Sequence, residues 1–199
     1  MLRHAAVLLM GLGVAGSVSS AARGEDKPPQ AAEAPSHRPE DFRTEFQQSL
    51  MPLPDAKSLT VRGNIYVPAY ATIRGISDRG GTGVANVLRI DNTSATKPLV
   101  LERLDYFDTS GKLIQRYLDA PIALKSFGAI QITVPPEDHR GGAAANFIIG
   151  WAGAAPMAEP LVQALAFSTG TGSVYSFVSP GRPIHVVGKR QWLSFGLTR

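Results

Sequence analysis

Glu137-Asp138-His139-Arg140 sets two acids, an imidazole and a guanidinium side by side, between Pro135-Pro136 and Gly141-Gly142. A carboxylate next to an imidazole is a start toward general acid–base chemistry, and the same pair can ligate a divalent metal. His185 is the other imidazole in the strand-like part of the chain, so Asp138, His139 and His185 form the one set that a metal-dependent or hydrolytic enzyme would use. The spacing does not demand it, because a metal-binding pair on one strand would sit at i and i+2.

Other catalytic patterns are missing. There is no GxSxG elbow, Walker A loop, HExxH helix or GxGxxG after a strand. Gly80-Gly81-Thr82-Gly83 lies between strand-like segments, with no helix to offer its amides to a phosphate. Asp105 and Asp108 are three apart on one strand and fall on opposite faces, which makes them poor acid–base partners. Asp108 reads as a turn cap, and Asp105 as an exposed ladder residue facing Arg116 or Lys112.

What remains is recognition. Asp138, His139, Arg140 and Asn146, with the aromatics Tyr66, Tyr70 and Trp151, make a candidate surface for a small ligand or a protein partner. Neither a catalytic group, a cofactor nor a metal is assigned to it. The plainer alternative is that the strand aromatics are core, which is their usual fate.

The elements that must carry these residues are strands and turns. Proline at 15 and glycine at 20 imply many turns, and from Leu59 onward β-branched and aromatic runs alternate with Gly/Pro/Asp breaks. Strand-like runs fall at 58–73, 83–92, 98–108, 112–118, 127–136, 145–153, 160–167, 172–179 and 182–188, with Pro68 marking an edge or bulge in the first. Asp108-Thr109-Ser110-Gly111 has Asp first and Gly fourth, which predicts a β-turn. In 127–136 the set Gly128, Ile130, Ile132, Val134 should face inward, and in 145–153 Phe147, Ile149 and Trp151 should share the core face. The spacing favours an all-β protein, an antiparallel β-sandwich of about eight strands over residues 58–188.

Residues 1–22 read as a signal peptide: Arg3 and His4, an apolar run over Ala5–Val18, then small residues at 19–22. That run is shorter than the roughly 20 apolar residues of a membrane span, so export to a periplasm or beyond is expected, with no span after cleavage. Residues 23–57 form a disordered Pro/Ala-rich tether, with a short helix at 39–50 that places Phe42, Phe46 and Leu50 on one face. Docking of that stripe on the domain is the plainer reading. The tail 189–199, with Trp192 and Phe195, is a last strand or packs across a sheet, and as an exposed tail it would serve an assembly subunit.

The chain has no cysteine, which removes disulfides, thiolate metal sites and thiol nucleophiles. Its net charge is +4, or +3 once Arg3 leaves with the leader, and the cations are scattered without an arginine-rich helix or an RNA-binding strand motif. Nucleic acid is therefore not an expected partner. Whether copies of the chain associate stays open.

The segments NIYVPAYATI, VLRIDNTS, LDYFDTSGKLIQRYLDAPI, DHRGGAAANFIIGW and GSVYSFVSPGRPI, in that order, resemble the bacterial family known as domain of unknown function 3124, whose members are small exported proteins. The resemblance runs from about Gly63 to Ile184, with YFDTSGKL and GGAAANFIIGW its most specific pieces. It implies a fold and a compartment and no mechanism. A looser similarity, an IDNTS-type strand followed by a YFD hairpin, is to the β-sandwich transducer of sensory rhodopsin. That is an analogy of architecture.

Overall fold

The computed structural model describes residues 43–73, 82–168 and 175–187. The expected leader, the tether up to residue 42, the tail 189–199 and most of the 77–83 turn lie outside the described residues. In chain order the strands are β1 (Leu50–Met51), β2 (Val61–Ala69), β3 (Thr72–Ile73), β4 (Thr82–Gly83), β5 (Ala85–Asp91) and β6 (Leu99–Phe107). They continue as β7 (Leu113–Arg116), β8 (Ile122–Leu124), β9 (Ala129–Val134), β10 (Ala145–Gly153), β11 (Leu161–Ser168), β12 (Tyr175–Pro180) and β13 (Arg182–Val187).

One sheet has seven strands, ordered β1-β8-β6-β10-β2-β13 with β7 also on β6, and a second has four, ordered β12-β11-β5-β9. A short β3–β4 pair stands apart, and every pairing is antiparallel. The two larger sheets enclose one core, so the protein is the antiparallel β-sandwich that its strand spacing implies.

Period-two alternation builds that core. On β2, Val61, Ile65, Val67 and Ala69 are buried, while Arg62, Asn64, Tyr66 and Pro68 point the other way. Ile130, Ile132 and Val134 of β9 face inward as expected, and Phe147, Ile149 and Trp151 of β10 are 0%, 0% and 1% exposed. Burying each such side chain contributes roughly 1.5–3 kcal/mol. Pro68 lies beyond Tyr66, the last β2 residue that β13 pairs, so β2 has β10 as its sheet neighbour there and a missing N–H costs nothing.

Two buried asparagines close the structure where strands stop. Asn86 accepts from Tyr70 N (3.2 Å) and donates to Tyr70 O (3.0 Å), so a side chain replaces the ladder and ends the run expected over 58–73 at Ala69. Asn92 donates to the carbonyls of Lys97, Leu124 and Lys125 and accepts from Ser94 N. The Asn92 side-chain nitrogen is thus fully engaged, on a residue only 1% exposed.

At the start of the described chain, residues 43–45 are helical, and Phe46 and Leu50 pack against the core as the helical spacing implies. Leu50 and Met51 then pair with Leu124 and Ala123 of β8. The sheet therefore begins before residue 58, where the domain boundary was expected. β8 itself is three residues buried on both faces, too short and too uniform to show a period.

Candidate functional site

The loop holding Asp138, His139 and Arg140 is built from the side chains beneath it. Asp138 caps a 3-10 helix over His139–Ala144. Its carboxylate accepts from Arg140 N (3.1 Å), Nε (2.8 Å) and Nη2 (2.7 Å). The Arg140 guanidinium holds the Asp138 carboxyl below the usual carboxylate range, working against the desolvation of a residue 4% exposed. Thr109 fastens the loop from the β6–β7 turn: its hydroxyl donates to Gly141 O and accepts from Ala144 N. Under the loop lie Tyr106, Tyr117 and Phe147, with ring centroids 4.8 Å (Tyr106–Phe147) and 6.4 Å (Tyr117–Phe147) apart. Burial, then the Asp138 charge, push the Tyr106 hydroxyl up to about 12.

The Asp138 carboxylate of this loop is thus spent on an ion pair with Arg140 and not on His139. His139 remains exposed. His185 is far from it. On β2 the partner of His185 is Asn64, while Ala145, the residue after the His139 helix, is opposite Ala69. Five residues of strand separate those positions, about 17 Å. A shared ion needs each nitrogen about 2 Å from it, so the Asp138, His139, His185 set does not assemble. Among the described residues, no three His, Asp or Glu side chains are grouped to hold a metal.

The expected aromatic surface is also divided. Tyr66 and Asn146 share the outer face of the seven-stranded sheet. Tyr70 joins the two sheets, its backbone gripped by Asn86 and its ring set edge-on to Phe177 at 5.2 Å. Trp151 belongs to the core and contributes nothing to a surface. Asp105 also departs from expectation. It does face Arg116, but it is 1% exposed, because Arg103 (2.6 Å) and Arg116 (3.3 Å) close over it.

The outer face of the same sheet carries a site that sequence reasoning missed. Register aligns His185 (β13), Asn64 (β2), Gly150 (β10) and Arg103 (β6) in one row across four strands. With Arg62, Gly63 and Glu102 they line a cleft of about 450 Å³. Gly150 puts no side chain between Asn64 and Arg103, and a Cβ there would lie 2.9 Å from Arg103 Cβ. A β-bulge opposite Gly150/Trp151 sets Glu102 beside Arg103 on the rim.

Ion pairs fix the walls. Arg62 donates Nε–H to Glu102 (3.3 Å) and Nη1–H to Leu59 O (3.1 Å). Arg103 donates Nε–H to Asp105 and lies over the Phe107 ring at 5.5 Å. The lining offers guanidinium, amide and imidazole groups with one carboxylate, and no hydroxyl nucleophile. Such a set recognises polar ligands through charge-assisted hydrogen bonds.

The model of the family described as "Protein of unknown function (DUF3124)" matches residues 62–184, a span that holds the loop and every residue lining the cleft except His185. No curated protein matches the sequence. The crystal structure of Thermotoga maritima 1070 aligns with 60% of this chain and 92% of its own at 11% identity, with a TM-score of 0.37, a likeness too slight to carry fold or function across.

Proposed function

The chain belongs to the DUF3124 family of proteins of unknown function, and from that premise we propose that it is an exported, non-catalytic protein that binds a small ligand in the cleft of its seven-stranded sheet. The observation that carries this reading is the His185–Asn64–Gly150–Arg103 row, where a glycine opens a concavity among polar groups. Its volume falls in the range of small-molecule sites, roughly 300–1,000 Å³. Export rests on the leader-like residues 1–22.

Asn64→Trp tests the reading, since it fills the cleft from an outward-facing position and leaves the inner core alone. Native protein purified from its source and denatured should release a small molecule that mass spectrometry detects, and the Asn64→Trp protein should release much less. Equal release from both proteins sinks the proposal.

A second reading is favoured by a different surface. On the outer face of the four-stranded sheet, Val178, Leu165 and Val87 stand in one row, and Leu161, Leu165 and Val178 are 50%, 41% and 52% exposed. A contiguous apolar band suits contact with another protein or a second copy of the chain.

A further inference from the structure

We infer that the ligand of this cleft carries an oxyanion, a carboxylate or phosphate group, gripped by the free ends of Arg103 and Arg62 with Asn64 and His185 beside them. The inference rests on the cleft being the binding site.

Charge comes first. Arginine and acid side chains on the described strands of the seven-stranded sheet are Arg62, Arg103, Arg116 and Arg182 against Glu102 and Asp105. Both carboxylates are already shared with arginines, so the face retains an excess of positive charge. A cationic ligand would meet that excess with no unpaired acid to receive it.

Unused donors come second. Arg103 commits its Nε to Asp105, and its two amino groups have no hydrogen-bond partner among the described residues. Arg62 commits Nε and Nη1 and leaves Nη2. The Asn64 amide and the His185 ring, both lining the cleft, have no side-chain hydrogen bond among the described residues. The planar end of a guanidinium matches two oxygens of a carboxylate or phosphate.

Preorganisation comes third. Asp105, 1% exposed, and the Phe107 ring hold Arg103 in place before any ligand arrives, which lowers the ordering cost of binding. A neutral sugar would instead call for a broad stacking ring, and no Phe, Tyr or Trp lines the cleft among the described residues.

The test is a titration of the isotope-labelled full chain, followed by NMR, with four probes on one hexose scaffold: glucosamine, glucose, glucuronate and glucose 6-phosphate. At about 10 mM, where a millimolar site is mostly filled, glucuronate or glucose 6-phosphate should shift the amide signals of Asn64, Gly150 and His185. Glucose and glucosamine should leave them in place. Comparing the two anions tells a carboxylate site from a phosphate site. Arg103→Gln should weaken the effective anion about tenfold. Should that variant fail to fold, binding to the native chain should still weaken as salt rises from about 0.05 to 0.5 M.

Equal shifts with glucose overturn the anion assignment and leave the cleft reading standing. So do anion shifts that survive Arg103→Gln or high salt. Silence from all four probes overturns the assignment as well, while the cleft itself is judged separately by the Asn64→Trp release experiment.

Discussion

The hydroxyl of Tyr106 occupies the space that a side chain on Gly141 would need. A Cβ built on Gly141 would overlap that oxygen and also lie 2.7 Å from Ala145 Cβ. The loop of Asp138, His139 and Arg140 therefore sits directly on a buried tyrosine, and glycine is what lets it come so close. Gly141→Ala should destabilise the fold by about 1–3 kcal/mol, the usual cost of overpacking. Combining it with Tyr106→Phe should recover part of the loss. Urea unfolding of the two single variants and the double variant measures both effects.

Tyr106→Phe alone has a different expectation. The buried Tyr106 oxygen has no hydrogen-bond partner among the described residues, so its removal breaks no bond seen there and spares a desolvated hydroxyl. Stability should change by less than about 1 kcal/mol in either direction. Tyr106→Ala, which empties a fully buried site, should cost about 3–5 kcal/mol. A loss of more than 2 kcal/mol in Tyr106→Phe, on the scale of a hydrogen bond to a charged group, would show that the hydroxyl has a partner.

The Asp138–Arg140 pair makes stability depend on pH. The Asp138 carboxyl lies below its ordinary value, chiefly through the Arg140 hydrogen bonds. Its contribution is therefore complete above about pH 4, where the unfolded carboxyl is ionised, and fades as pH falls through the lower folded value. Asp138→Asn should cost about 1–2 kcal/mol near neutrality, tempered by the half-exposed arginine. The difference from the native chain should shrink as pH drops below 4. Denaturant unfolding across a pH series would detect this, and a constant difference down to pH 2 would count against it.

Local pattern carried the core and the turns. The alternation in 127–136 and 145–153 states which side chains face inward, because a sheet packed on one face imposes period two on its sequence. Asp108 could be read as a cap for the same local reason: its carboxylate accepts from Ser110 N and Lys112 N within five residues. The cleft was not legible. Its row joins residues 64, 103, 150 and 185, and their alignment depends on the register of four strands far apart in sequence. Asp105 failed for a related reason, since burial came from two long arginines folding over a position whose alternation reads as solvent. Trp151 was legible as core, and assigning it to a surface as well set two incompatible roles on one inward-facing ring.

Asn92 offers a sharper test of buried polarity. Its amide nitrogen serves three carbonyls and its oxygen takes Ser94 N, tying the β5 end to the β8 turn. Asn92→Ala strands several of these groups at once, and should lower stability by about 2–4 kcal/mol, more than one lost hydrogen bond. Asn92→Asp keeps the acceptor and loses the donors, with an ionised carboxylate facing three carbonyls. It should therefore be at least as damaging as alanine at neutral pH, and improve relative to alanine as pH falls toward about 4, because burial against those carbonyls makes the carboxyl take up its proton above its ordinary value. Thermal unfolding of both variants at pH 7 and pH 4 separates the two effects.

The outer row Val178–Leu165–Val87 yields the last expectation. Leu165 and Val178 are directly paired across β11 and β12, and both point away from the core. Replacing both by threonine puts strand-favouring β-branched side chains at both positions and removes apolar surface, so unfolding free energy should move by no more than about 0.5 kcal/mol per site. Association should respond if this band is an interface. Sedimentation of the native chain should then show oligomers that the double variant lacks. Identical sedimentation of both as monomers would leave the band as ordinary surface and withdraw the self-assembly reading, without touching the cleft on the opposite sheet.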